Sequence, residues 1–240
     1  MQNRIFSIDS AKAVKAQEYG YLNAIHYLAP HNLSGFQLCP HASAGCLALC
    51  LGWESGQASM VKHDTDINSV RQSRIDKARR FMRDRANYMK DVVRSIELVI
   101  ARAQRMGFKP CIRMNGASDI AWEGIRYNGK TVFELFPNVA FVDYTKNAKR
   151  FDRALPANYH LTFSRSETNE AQCLTLLARG INVAAVFAGD KPSAWNGFRV
   201  IDGDQHDLRQ LDPRGAIGCV IALSPKGRKA KRDTSGFVIR

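Results

Sequence analysis

From Gly107 onward, short apolar runs alternate with helical patterns, and this alternation limits the fold more than any other feature of the chain. The strand candidates are Cys111–Met114, Ala140–Val142, His160–Phe163, Val183–Phe187, Arg199–Ile201 and Gly218–Leu223. Helix candidates Thr131–Phe136, Ala148–Ala154 and Thr168–Ala178 lie between some of them. Strands joined through helices return to the same edge and so run parallel. A seventh strand candidate, Tyr21–Leu28, comes earlier and ends at Ala29-Pro30.

Between the first strand and the rest lies a long helical region, residues 65 to 106. Ile75, Ala78, Met82, Met89, Val93, Ile96, Ile100 and Ala103 recur at helical steps and mark one buried face. Arg71, Arg74, Lys77, Arg80, Arg83, Lys90 and Arg94 occupy other faces. A break near Asp84 is expected, because an unbroken helix of that length is unusual in a globular protein. The expected fold is α/β: a single parallel-stranded domain over residues 1–240, forming a partial or complete (β/α) barrel-like sheet. The stretch from Ser224 to Arg240 is rich in Lys, Arg and Gly, and its basic part, about 224–236, reads as a mobile tail.

No apolar run is long enough for a transmembrane helix, and Met1–Ser10 has no signal-peptide core. The expectation is a cytoplasmic protein with no membrane partner. The net charge is +13, from 35 Lys and Arg against 22 Asp and Glu. Such an excess implies a polyanionic partner, either nucleic acid or a nucleotide.

Polar clusters follow nearly every strand candidate. Asn115, Ser118 and Asp119 follow the second; Asp143, Tyr144, Thr145 and Lys146 the third; Ser164, Arg165, Ser166 and Glu167 the fourth. Asp190 and Lys191, then Asp202, Asp204 and Asp207, follow later strands. In parallel sheets ligands bind at the carboxyl ends of strands, so these groups should converge. Asp119, Lys146 and Glu167 are the candidate catalytic residues. Asn115, Ser164, Arg165, Asp202 and Asp204 are the candidate cofactor-binding residues.

The loop after the first strand carries Cys39, Cys46 and Cys50 in a C-x6-C-x3-C pattern. Thiolates bind soft and borderline metals, and these three are the candidate metal ligands. Cys46 and Cys50 share a face if the segment is helical, and Gly45 permits a bend before them. Cys111, Cys173 and Cys219 lie in apolar settings and read as buried packing residues. A zinc ion would take a fourth ligand, with His41 and His63 as candidates. A four-iron, four-sulfur cluster uses three cysteines and leaves one iron open for a ligand. The carboxylates at Asp202, Asp204 and Asp207 suit Mg²⁺ instead, which would give a nuclease or phosphotransferase. Trp53, Trp122 and Trp195 fall in loops, where an indole can stack on a base.

Several segments carry a family resemblance: Leu38-Cys39-Pro40-His41-Ala42, Arg113 to Glu123, Phe141 to Lys146, and Val200 to Asp204. From about Tyr21 to Val238 the chain resembles the bacteriophage gene-product-eighty-eight family. That resemblance implies a phage or prophage origin and a cysteine cluster near the N-terminus, and supplies no activity. At the level of fold, the cysteine loop after a first barrel strand is similar to that of radical S-adenosylmethionine (SAM) enzymes. Their usual spacing is C-x3-C-x2-C with an aromatic before the last cysteine; here six and three residues intervene and Leu49 precedes Cys50. The first functional expectation is an iron–sulfur, radical SAM-like enzyme acting on a nucleotide or nucleic acid. The alternatives are a zinc-stabilised nucleic-acid-binding module and the Mg²⁺-dependent nuclease.

Overall fold

Ten strands form one sheet in a computed structural model that describes residues 5–240. They are β1 (Phe6–Ser7), β2 (Tyr21–His26), β3 (Lys109–Arg113), β4 (Ala140–Thr145), β5 (Tyr159–Ser164), β6 (Val183–Phe187), β7 (Ala194–Trp195), β8 (Phe198–Asp202), β9 (Val220–Leu223) and β10 (Val238–Ile239). All seven expected strands are present. β1, β7 and β10 have two residues each, too few to leave a pattern in the sequence.

The order across the sheet is β1-β2-β3-β4-β5-β6-β9-β8-β7. Every pairing from β2 to β8 along that path is parallel; β1 on β2 and β7 on β8 are antiparallel. β10 pairs in parallel with Val186 and Phe187 of β6, past the point where β5 stops. Consecutive strands lie side by side, as in a barrel, but β1 and β7 end the path without pairing. The sheet is therefore open, and a complete barrel is not formed.

The long helical region is two helices, Ser69–Arg83 and Arg85–Arg105, broken at Asp84 as expected (φ −138°, ψ 61°). Ile75, Phe81, Met89, Val92 and Ile96 pack against Leu22, Ala24, Ile112 and Phe141 on one face of the sheet. Helix Glu170–Ala178 covers β5, β6 and β9 through Cys173, Leu176 and Leu177. Thr131 caps Val132–Leu135 with a reciprocal capping box to Glu134. The helix expected at Ala148–Ala154 is only a 3₁₀ turn, Ala148–Phe151.

Two of the basic residues on the other faces of this region are buried, Arg71 and Lys77. The Arg71 guanidinium donates to the carbonyls of Ala58 (2.8 Å), Asp64 (2.7 Å), Asp66 (2.7 Å) and Trp53 (3.1 Å), organising residues 53–66. It also lies 4.4 Å from the Trp53 ring centre. Part of the positive charge is therefore internal scaffolding. The C-terminal stretch is folded too, as helix Gly227–Lys231 followed by β10, so the expected loose tail is not seen. Among the described residues no helix is long and apolar enough to cross a membrane.

A buried carboxylate ties the loop after β3 to β4 and β5. Asp143 on β4 accepts from the Asn115 backbone N–H (2.6 Å) and from the Tyr159 hydroxyl of β5 (3.0 Å). Asn115 then directs its own loop: its Oδ1 accepts from Ser118 Oγ, Ile120 N and Trp122 Nε1, all within 3.1 Å. Burial pushes the Asp143 carboxyl up to about 7, against the pull of the Asn115 N–H, Arg113, Arg150 and Tyr159. In the folded state Asp143 thus holds its proton to higher pH than in the unfolded chain. That contribution to stability is complete below about pH 4 and is lost as pH rises through about 7. Relative to an Asp143→Asn variant, the wild type is expected to melt at a more favourable temperature at about pH 5 than at about pH 8. An equal or larger relative stability at the higher pH would contradict this assignment.

Candidate metal centre

The cysteine loop is held from three directions. The first hold is on Cys39. His31, with φ of 50°, turns the chain so that its N–H points to Cys39 Sγ at 3.3 Å. The Cys39 thiol lies 3.6 Å from the Ala117 carbonyl, and the Asp119 N–H donates to Leu38 O at 2.9 Å. The loop organised by Asn115 and Asp143 is therefore also the seat of Cys39.

The second hold is on Cys46. Ser43 caps the short helix Ala44–Ala48, accepting from the Cys46 N–H at 3.2 Å. Glu167, from the loop after β5, accepts from Ser43 Oγ and Gly45 N–H, each at 2.8 Å. Gly45 is required by close approach and not by a bend: a Cβ there would meet Glu167 Oε2 at 2.8 Å and Phe237 Cβ at 2.9 Å. Glu167 is thus a positioning residue, outside the cavity lining. Burial raises its carboxyl, but the hydrogen bonds from Gly45 and Ser43 prevail and hold it below the usual range.

The third hold is on Cys50. Cys46 and Cys50 do not share one helix. Cys50 instead precedes a second short helix, Leu51–Glu54. Gly52 packs so tightly on Ala117 that no Cβ fits between them. Arg74, from the long helix, donates to Gly52 O and raises a positive charge beside Cys50. Burial pushes the Cys39 thiol up to about 11 and the Cys50 thiol up to about 12. Cys50 feels the charges of both Cys46 and Cys39, which places the three thiols in one electrostatic neighbourhood.

All three cysteines line one cavity of about 200 Å³. The cysteine side is apolar, with Ala42, Leu47 and Leu49. The rest of the lining is built from strand ends: Arg113 in β3 and Asn115 after it, Tyr144 in β4 and Lys146 after it, Ser164 in β5 and Arg165 after it, and Asp204 after β8. Four cations (Arg113, Lys146, Arg165, Lys226) face two carboxylates (Asp119, Asp204) around it. The C-terminal segment closes the cavity through Ser224, Lys226, Ala230 and Phe237.

A family model described as gene product 88 matches residues 5–240. The chain belongs to the gene product 88 family. No curated protein and no solved structure matches it. The family match covers the cysteine loop and every strand end that lines the cavity.

The expected site residues sort into distinct positions in this family member. Lys146 reaches into the cavity, donating to Ser164 Oγ at 3.0 Å and lying 5.3 Å from the Phe237 ring centre. Asp119 lines the cavity, but its oxygens are engaged by Lys146 N–H (2.9 Å) and Arg150 Nη1 (3.2 Å). It does not cap the turn at Trp122–Gly124, which has no side-chain cap. The Asn115 amide is saturated by the loop it organises. Arg165 points to the C-terminal segment, donating to Gly236 O and to Phe237 O, the latter at 3.0 Å. Asn169 stands at the start of the helix from Glu170.

The Asp-rich turn is neutralised piecemeal. Lys191 bonds Asp202 and Asp204; Lys226 lies 3.0 Å from Asp204; Arg113 lies 3.5 Å from the buried Asp207. Burial raises the Asp204 carboxyl, but hydrogen bonds from Lys191, Ser224 and Lys226 outweigh it and hold it well below the usual range. Asp202 and Asp207 do not line the cavity, and neither His41 nor His63 does. Among the described residues, no three His, Cys, Asp or Glu side chains are grouped tightly enough to share one metal ion.

Arg113 lines the cavity although the sequence reading did not single it out, and it is joined there by Tyr144, which was named only within its strand-end cluster. Arg113 stacks 4.7 Å from the Tyr144 ring centre on the cavity side of the sheet. Their positions on neighbouring parallel strands were the available signal. The hold on Cys46 gives a direct test. Glu167→Ala is expected to preserve the fold and speed amide hydrogen exchange across Ser43–Cys50, leaving β4 and β5 unchanged. Unaltered exchange in that loop would contradict the anchoring role.

Proposed function

We propose that the chain is a phage-encoded iron–sulfur enzyme of the radical SAM kind, working in the host cytoplasm on a nucleotide or nucleic-acid substrate. The observation that carries this reading is the convergence of three thiols, from three separately anchored segments, into one cavity at the carboxyl edge of a parallel sheet. A single zinc ion needs four ligands crowded around one point. The three cysteines are not grouped that tightly, and no histidine lines the cavity among the described residues. Thiolates that each take a different iron of a larger cluster do not have to crowd. The unusual C-x6-C-x3-C spacing accords with two short helices instead of one: Cys46 rides on the first and Cys50 opens the second.

The residues present fit such a group. Cys39, Cys46 and Cys50 would hold it. Such a cluster would supply one-electron chemistry to a ligand bound in the cavity. The cluster and its thiolates are anionic, and the cationic excess of the remaining lining offsets that charge in a site of reduced dielectric. Lys146 and the Ser164 hydroxyl offer donors to a carboxylate or phosphate of the ligand. Leu47, Leu49 and the C-terminal segment restrict water. Asp119 and Glu167 act as positioning residues: one fixes Lys146 and Arg150, the other the Cys46 helix.

This reading makes the three cysteines non-redundant. Each single Cys→Ser variant is expected to lose more than half of the bound iron after anaerobic reconstitution, whereas Cys173→Ser, His41→Ala and Asp202→Ala keep it. Full iron in all three cysteine variants, or a comparable loss in Asp202→Ala, would sink the proposal.

A further inference from the structure

The C-terminal segment separates the cysteine cavity from a second, open groove of about 300 Å³. One side of helix Gly227–Lys231 faces the cavity through Lys226 and Ala230. Arg228, Lys231 and Arg232 are exposed, and none of them makes an ion pair with another described residue. Arg240 joins this strip to the groove: its guanidinium donates to Asp233 O at 2.8 Å and to Lys231 O at 3.3 Å, and it lines the groove itself. Across the groove stands Trp195 on the edge strand β7, half-buried, packed on one side against the core below β6 and β9. The carboxylates of the groove are already engaged. Asp233 accepts from Ser235 and from Val238 N–H, and Glu170 faces Arg165.

We infer that this strip and groove form a binding surface for single-stranded nucleic acid, with phosphates on Arg228, Lys231, Arg232 and Arg240 and a base stacked on Trp195. The inference deepens the substrate half of the function proposed above and does not depend on the cluster. Unpaired surface cations bordering an aromatic platform are the two elements that hold a single strand without sequence preference. A duplex keeps its base faces stacked, so it would gain the charge contacts and lose the contact with Trp195. A cavity of about 200 Å³ has room for a single base and not for a stacked pair, so a base would enter it only when unstacked. The strand would therefore lie over the helix that closes the cavity.

The test is fluorescence anisotropy on metal-free protein with a labelled oligothymidylate about 20 nucleotides long, over a series of salt concentrations, with the matching duplex as competitor. The wild type is expected to prefer the single strand by about tenfold or more. The triple variant Arg228→Ala, Lys231→Ala, Arg232→Ala should weaken binding at least about tenfold near 0.1 M salt and flatten the log–log salt slope by about 2, at roughly 0.7 per phosphate contact. Trp195→Leu should weaken binding about tenfold at every salt concentration and leave the slope unchanged. Absence of binding by the wild type, equal affinity for the duplex, or an unaltered triple variant would each overturn the inference. Iron content measured on the same variants keeps the two proposals apart: loss of oligonucleotide binding with full iron bears on this surface only.

Discussion

Asp143 lies within β4, wholly buried, and the geometry of the candidate site is traceable to it. Its carboxyl fixes Asn115, the second residue after β3, and the hydroxyl of Tyr159 on β5. Asn115, so fixed, shapes the loop in which Ala117 meets both Cys39 and Gly52 and the Asp119 N–H donates to Leu38 O. A charge buried this deeply is costly unless hydrogen-bonded, and here burial is met partly by donors and partly by keeping the proton. The same arrangement connects Arg150, which bonds Glu123 (2.6 Å), Asp119 and Tyr159. Fold and cysteine loop are thus coupled through a polar network at the strand ends, with apolar packing supplied from the helices behind.

The parallel strands were legible in the sequence because both faces of a covered parallel sheet are apolar, giving runs such as Val183–Phe187. What escaped was decided by contacts distant in sequence. β10 is a two-residue strand that exists because β6 extends beyond β5. β4 runs to Thr145, three residues beyond its apolar stretch. Asp143 and Tyr144 therefore alternate to opposite faces, one into the polar network and the other into the cavity. The convergence of strand-end groups followed from topology, and Asn115, Lys146, Ser164 and Arg165 do border one cavity. Their individual roles did not follow, because hydrogen-bond saturation, as at Asn115 and Asp119, depends on partners that no local pattern reveals.

The charge of the chain divides in a similar way. Arg71 and Arg150 serve as buried connectors, and Lys191 and Lys226 neutralise the Asp-rich turn. Part of the excess left over, Arg228, Lys231 and Arg232, is exposed on and beside the C-terminal helix that borders the cavity, and another part, including Arg83, Arg85, Lys90, Arg94 and Arg105, lies on the two long helices. A net charge of +13 therefore overstates the surface available to a polyanion, and the position of the unpaired residues is more informative than their number. The same segment closes the cysteine-lined cavity and carries the proposed nucleic-acid surface, so substrate binding and access to the cavity would meet in one element.

The central claim is that Cys39, Cys46 and Cys50 hold a cluster and not a single ion. The most direct measurement is iron, acid-labile sulfide and zinc content, with a visible absorption spectrum, on protein isolated without oxygen. The account predicts about four irons with matching sulfide per chain and a broad band near ~400 nm. One tightly bound zinc with no colour, or no metal at all after reconstitution, would contradict it.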